Sequence, residues 1–192
     1  MKNKFIIIPL VLVAIFIIAA SPQRSSSGAP GAHTGAPGEK TCATSGCHDD
    51  NSVNSGAASL SIEIGESITN YVPGKTYAVK VRIAETNVNR FGFQLIALNG
   101  KTKSSVGSFQ ITDALRTQIV LNSKEFNDRE YVTYSFKGTD ATSAGASEWL
   151  VNWIAPSTNV GPVSFYAAGV SGNDDMTDKG DRVYTTSKVL NN

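Results

Sequence analysis

The 192-residue sequence is poor in the side chains that catalysis requires. It contains two cysteines and two histidines, and 17% of its residues are charged. It has no Gly-x-Ser-x-Gly sequence, which would present a serine nucleophile on a strand-to-helix turn, and no glycine-rich loop that could hold a phosphate. These absences argue against hydrolysis and phosphoryl transfer, and we predict that the protein is not an enzyme.

An excess of charge of one sign is missing as well. Lysine and arginine number 17 and aspartate and glutamate 16, which gives a formal net charge of +1. Proteins that bind nucleic acid usually carry a clustered excess of positive charge. We therefore expect no nucleic-acid partner.

Helical periodicity is nearly absent, and we expect at most one turn of helix, at residues 112–116. From residue 58 onward, polar and apolar residues alternate with a period of two, which is typical of half-buried strands. This pattern favours an all-β protein, an antiparallel β-sandwich of about eight or nine short strands. The candidate strands are residues 59–64, 77–83, 91–98, 108–111, 117–121, 131–136, 148–154, 162–170 and 182–190.

The sequence has only two tryptophans, and both lie in one candidate strand. Trp149 and Trp153 are separated by an even number of residues, so they share one face of that strand. With Phe165, Tyr166 and Tyr184 they could line a sugar-binding surface, which makes a glycan a candidate partner. We predict instead that the two tryptophans lie on the core face.

Residues 1–20 have the features of a secretory signal peptide. Lys2 and Lys4 precede an apolar run that ends in small residues at Ala20. The run would span roughly 24 Å as a helix, less than the hydrocarbon core of about 30 Å. Ile18 departs from the small-x-small cleavage rule, so an uncleaved anchor is the alternative, and membrane contact would then be through this segment alone. We expect an exported protein, in the periplasm, at the cell surface or secreted.

Two further regions follow the predicted signal. Residues 21–57 are rich in glycine, proline and serine and include the Cys-His stretch at 41–48, whereas residues 58–192 carry all the candidate strands. A segment of the first composition buries too little apolar surface to fold alone. We therefore predict a linker or irregular arm outside the sandwich, on which the fold does not depend.

Five stretches of the sequence carry a resemblance to a known family. They are residues 34–39, 71–77, 90–95, 161–169 and 180–187. Together with the Cys-His stretch they are similar to the reelin-type (Reeler) domain, and more closely to its exported bacterial relatives, over residues 31–190. The resemblance implies an immunoglobulin-like β-sandwich, an exported or surface location and often a place in larger adhesive proteins. It implies no settled biochemical activity.

The Cys-His stretch contains both cysteines and one of the two histidines. Covalent attachment of a c-type haem needs two thiols and a histidine directly after the second, usually as Cys-x-x-Cys-His. The sequence Cys42-x4-Cys47-His48 is a longer form of this motif, which is also known in multihaem cytochromes. On this interpretation Cys42 and Cys47 form the thioethers and His48 is the proximal ligand of the haem iron.

A sixth iron ligand would be a histidine or a methionine. His33 lies in the arm and could fold back, although the favoured interpretation is an exposed loop histidine. Met176 lies in an aspartate-rich stretch and has the character of a loop residue. The protein would be at most an electron carrier, with an electron-transfer or haem-based redox role in the cell envelope and a redox or envelope protein as its partner.

Two other interpretations of the Cys-His stretch stay open. In an oxidising compartment Cys42 and Cys47 can form a disulfide, with His48 incidental. The protein would then be a non-catalytic adhesion or binding module of the surface or envelope. The third interpretation is a metal site of Cys42, Cys47 and His48 with His33 or Asp49.

An aspartate-rich stretch lies between the last two candidate strands. Calcium prefers several carboxylates on one loop, although these residues do not have the spacing of an EF-hand. The stretch therefore indicates either a calcium site or an ordinary polar turn. The four candidate ligands are Asp174, Asp175, Asp178 and Asp181.

Overall fold

A computed structural model describes residues 28–192 of the chain. The predicted signal peptide or anchor at residues 1–20 and the beginning of the arm lie outside the described residues. Within residues 28–192, no helix is both long and apolar enough to cross a bilayer.

The described chain folds into two antiparallel sheets, which confirms the predicted all-β sandwich. One sheet has the strand order β1-β2-β7-β4 and the other β5-β6-β3-β8-β9. The strands are β1 (Ser59–Ile64), β2 (Thr76–Ala84), β3 (Arg90–Asn99), β4 (Ser108–Ile111), β5 (Thr117–Val120), β6 (Tyr131–Tyr134), β7 (Ala146–Ile154), β8 (Val163–Gly172) and β9 (Arg182–Leu190).

The expected helical turn at residues 112–116 is a hydrogen-bonded turn instead. The carbonyl of Asp113 accepts hydrogen bonds from the backbone N–H groups of Arg116 and Thr117. The chain then enters β5 at Thr117, where sheet pairing leaves no room for the helix to continue. A 3-10 helix forms at Phe136–Thr139, directly after β6, where we predicted the end of a strand.

Aromatic side chains fill the space between the sheets. Trp149 and Trp153 are 2% and 0% exposed, which confirms that they face the core. Their rings lie 4.4 Å from the ring of Phe93 and 4.9 Å from that of Phe165, respectively. Both indole N–H groups donate to backbone carbonyls, so their burial leaves no polar atom unpaired.

The arm is irregular, as predicted, but it is not a linker. Ala32 and Ala36 are 2% and 1% exposed and belong to a cluster with Ile96, Leu98 and Tyr131 on the outer face of the five-stranded sheet. The arm thus forms a third layer, which lies outside the sandwich as predicted but is packed against it. Small residues make the docking feasible because they allow the backbone to approach the sheet closely.

Two buried polar side chains fasten the arm to this sheet. Gln94 of β3 accepts a hydrogen bond from the His33 N–H (2.7 Å) and donates one to the Pro30 carbonyl (2.8 Å). The carboxylate of Glu39 is 0% exposed and pairs with Arg129 at 2.5 Å. It also accepts from the hydroxyls of Thr34 (2.5 Å) and Tyr131 (2.9 Å). The buried charge is therefore fully compensated.

Removing the charge of Glu39 should destabilise the fold. Glu39→Gln keeps the size of the side chain but leaves the guanidinium of Arg129 buried without a counter-charge. We expect the free energy of unfolding to fall by about 3 kcal/mol, measured by urea unfolding followed through tryptophan fluorescence.

The matched control is Glu125→Gln. It removes the ion pair between Glu125 and Lys40, and Lys40 belongs to the same arm. Both partners are half exposed, so the control should unfold like the wild type. Equal losses in the two variants would contradict the special role of the buried pair.

Candidate functional site

A cleft of about 500 Å³ opens at one end of the five-stranded sheet, beside His48. This volume lies in the range of small-molecule sites. The beginning of β3, the ends of β6 and β8, and the β8–β9 loop (residues 173–181) surround it. The exposed surface of the cleft is largely apolar, although charged and polar side chains also line it. The lining residues are His48, Arg90, Phe91, Gly92, Tyr134, Phe136, Thr139, Val170, Gly172, Asp174, Met176, Thr177 and Asp181.

His48 is oriented by a carboxylate from the far end of the chain. Its Nδ1 lies 2.7 Å from Oδ2 of Asp181, whose side chain is only 6% exposed. An ionised carboxylate oxygen can only accept, so Nδ1 carries the proton, and in the neutral ring Nε2 is the atom with the free lone pair. This is the arrangement in which proteins prepare a histidine as a metal ligand. The sequence placed Asp181 among the calcium candidates, and its contact with His48 was not foreseen.

The thiol of Cys42 lies beneath the arm, near the cleft. Cys42 is 8% exposed and packs against Ala168, Val170 and Val183, and Val170 also lines the cleft. Burial raises the pKa of Cys42 to about 12, and the neighbouring Cys47 thiol adds to the shift. Both cysteines are free thiols. The disulfide of the second interpretation is therefore not formed in this structure.

Tyr134 lines the cleft and also interacts electrostatically with the two thiols. Burial raises the pKa of its hydroxyl, with further contributions from Cys42 and Cys47, so both sulfur atoms lie within its electrostatic reach. The ring of Tyr134 lies against Gly92, where an added Cβ would approach Tyr134 Cε1 to 2.8 Å. Glycine at this position of β3 thus makes room for the aromatic wall of the cleft.

The two candidates for a sixth iron ligand lie in different places. The Nδ1 atom of His33 lies 3.1 Å from the Pro30 carbonyl and 2.9 Å from the Gly31 carbonyl, and His33 does not line the cleft. Met176 lines it together with His48. The structure therefore brings together His48 and Met176, and it does not bring His33 to them.

The four aspartates of the β8–β9 region face separate partners. Asp174 pairs with Arg90 at 2.8 Å, Asp175 accepts from the N–H of Thr177 at 2.6 Å, and Asp178 lies 3.9 Å from the ammonium of Lys179. Asp181 holds His48. In the described part of the chain, no group of three or more His, Cys, Asp or Glu side chains is placed to hold a metal ion. The carboxylates predicted for calcium therefore do not converge.

Comparison with known proteins identifies a family model and solved structures that are similar to most of the described residues. The family model described as "Reeler domain" matches residues 40–175, a range that includes the Cys-His stretch and most of the cleft. No curated protein matches the sequence.

Two solved structures are similar in fold and sequence. The human F-spondin reeler domain is 26% identical, with a TM-score of 0.50, and the match covers 68% of this chain and 88% of that one. The Reelin-N domain of F-spondin is 25% identical, with a TM-score of 0.52, and the match covers 76% and 95%. The predicted immunoglobulin-like sandwich is thereby confirmed.

The two thiols should differ strongly in reactivity. At neutral pH a pKa of about 12 leaves almost no thiolate at Cys42, and only the thiolate attacks alkylating reagents. In folded, reduced protein we expect Cys47 to react with iodoacetamide at least about 100-fold faster than Cys42. The variants Cys42→Ser and Cys47→Ser report the two rates separately by mass spectrometry.

Unfolding in urea is the control for this comparison. It should make the two rates equal because both thiols then titrate normally. Equal rates already in the folded protein would contradict the burial of Cys42.

Proposed function

The chain belongs to the Reeler domain family, and from this premise we propose that it is an exported, non-catalytic module that carries one covalently attached c-type haem. Export is proposed from the signal-like residues 1–20 and from the family. The haem would occupy the cleft beside the Cys-His stretch and serve electron transfer in the cell envelope.

The observation that carries the proposal is the position of the motif histidine. His48 lies at the wall of a largely apolar cleft with Nδ1 held by Asp181, which leaves Nε2 as the ligand atom. Histidines that bind haem iron or other metals typically have such a second partner, which fixes their tautomer and increases their basicity.

The two thiols of the motif lie outside the lining of the cleft, and Cys42 packs against Val170, which lines it. Cys42 and Cys47 supply the two thiols, and each would add across one vinyl group: the sulfur bonds one carbon and the thiol hydrogen goes to the other. When bound, the group supplies a one-electron iron centre. Phe91, Tyr134 and Val170 exclude water from that side, and a drier environment strengthens the influence of nearby charges on the iron.

The burial of Cys42 imposes an order on assembly. In the docked arm its thiol is covered and protonated, and it donates weakly to the His33 carbonyl at 3.9 Å. The thioether at Cys42 must therefore form before the arm settles on the sheet. Attachment belongs to the unfolded or partly folded chain.

Coexpression with cytochrome c maturation machinery tests the proposal. The mature protein should show one haem-sized mass addition and a pyridine haemochrome spectrum of the c type. The double variant Cys42→Ala/Cys47→Ala should lose the covalent mass, because no thiol remains to bond a vinyl group.

The variant His33→Ala is the matched control and should keep both signals. Folded apoprotein mixed with haem should form no thioether at Cys42. Wild-type protein without covalent haem, matured with the complete machinery, would contradict the proposal.

A second function has one observation in its favour. The Cys47 thiol contributes to the raised pKa of Cys42, so the two thiols are neighbours, and an oxidant of the cell envelope that takes up their two hydrogens could join them and clamp the arm. The protein would then be a non-catalytic adhesion or binding module of the envelope, with a protein or a glycan as partner. The same intact-mass measurement decides between the two, since a disulfide removes about 2 Da and a haem adds its own mass.

A further inference from the structure

The three most exposed large apolar side chains of the described residues lie at one end of the sandwich. Met176, Leu115 and Phe136 are 82%, 74% and 62% exposed, and we call them the apolar tip. Met176 and Phe136 line the same cleft. The carbonyl of Leu115 accepts from the hydroxyl of Ser135, the residue before Phe136. Single exposed apolar residues are ordinary, whereas a group of them at one place marks a contact with a protein or a membrane.

Polar contacts fix the loop that carries Met176. Asp174 bonds Arg90 of β3 at 2.8 Å, and the amide of Asn173 donates to the Lys179 carbonyl at 2.8 Å, which closes the loop. The exposure of Met176 is therefore a property of a held surface.

The 3-10 helix that begins at Phe136 is held as well. The guanidinium of Arg116, the residue after Leu115, donates to the carbonyls of Lys137 (3.1 Å) and Asp140 (2.9 Å). The start of β5 and the 3-10 helix are thus joined, and Leu115 and Phe136 keep their places side by side.

The described chain begins at this same end of the sandwich. Gly28 lies against the end of β6, where an added Cβ would approach the Tyr134 carbonyl oxygen to 3.1 Å. The N–H of Ala29 donates to the Thr133 hydroxyl at 3.3 Å. Since Tyr134 also lines the cleft, the chain enters the fold close to the apolar tip.

The apolar run at residues 5–20 precedes this point closely. Residues 21–27 alone separate the two, and seven residues span at most about 25 Å. Ile18 departs from the cleavage rule, and Lys2 and Lys4 can extend the reach of a short run because long cationic side chains stretch toward the lipid headgroups. A retained run would therefore present the apolar tip, and no other end of the domain, to the bilayer.

We propose that residues 5–20 are retained as a membrane anchor and that the apolar tip lies in the headgroup layer of the bilayer. The charges at this end permit the contact, because Arg90 is paired with both Asp140 and Asp174. The folded domain is thereby added to the segment that the sequence alone assigns to the membrane. This inference does not rest on the haem.

Photo-cross-linking to lipid tests the contact. The full chain, produced with its own N-terminus in a bacterial host, is reconstituted into phosphatidylcholine vesicles that contain a lipid with a diazirine in its acyl chain. Its intact mass should include residues 5–20. Peptides of the apolar tip should be cross-linked at least about fivefold more than the peptide of Val72. Val72 is the matched internal control, since it is 58% exposed and lies between β1 and β2, at the opposite end.

A triple variant separates the apolar tip from the anchor. Leu115→Ser/Phe136→Ser/Met176→Ser changes only exposed positions, so it should fold and stay with the vesicles through residues 5–20. Its cross-linking near the tip should fall at least about fivefold, whereas Val72→Ser should behave like the wild type.

Three results would overturn the proposal. They are equal cross-linking at the two ends of the wild type, a triple variant that is cross-linked like the wild type, and loss of residues 5–20 in the host. The covalent haem mass is a separate measurement, so none of these results decides the proposed function.

Discussion

The buried carboxylate of Glu39 is the contact on which the outer layer of this protein depends. An arm of glycine, alanine, proline and serine has little apolar area to remove from water, so hydrophobic burial alone cannot hold it in place. Glu39 instead collects donors from the arm itself, through Thr34, and from the sheet region, through Arg129 and Tyr131. The chain next forms a short bridge between Thr34 and Thr41 and passes directly into the Cys-His stretch. Glu39 lies three residues before Cys42, so its ion pair with Arg129 also helps to fix the position of Cys42 over the sheet.

The second constraint is where the strands end. Arg90 pairs with Gly172 at the end of the β3–β8 ladder, and β9 begins at Arg182. The β8–β9 loop and the 3-10 helix therefore lie at this end of the sheet, where they line the cleft together with Gly92 and Val170. The arm reaches the same end because its later part runs along β9, where the N–H of Asn54 donates to the Val183 carbonyl. The cleft is therefore formed jointly by the sandwich and the arm. Neither part presents His48 to an apolar wall without the other.

The strands could be predicted from the sequence because their signal is local. Alternation with a period of two placed β1, β4 and β9 at their observed bounds, and it placed Trp149 and Trp153 in the core. The docking of the arm could not be predicted, because Ala32 and Ala36 carry no amphipathic pattern and their partners are distant in sequence. The same holds for the site: Asp181 reaches His48 across 133 positions, and only the fold shows this contact. Met176 was one of two candidate ligands by residue type, and its place at the cleft depends on the β8–β9 loop.

A sandwich of this kind carries no function by itself, since the same architecture serves many unrelated roles. What distinguishes this chain within the architecture is that two free thiols, an oriented histidine and a cleft with a largely apolar surface lie near one end of the fold. That coincidence also creates a competition. The forces that dock the arm cover Cys42 and suppress its thiolate, so docking and reaction at this thiol exclude each other. A docked arm leaves Cys42 as a buried thiol of low reactivity. The strength of the Glu39–Arg129 pair therefore bears on the accessibility of Cys42 as well as on stability, because this pair holds the arm on the sheet.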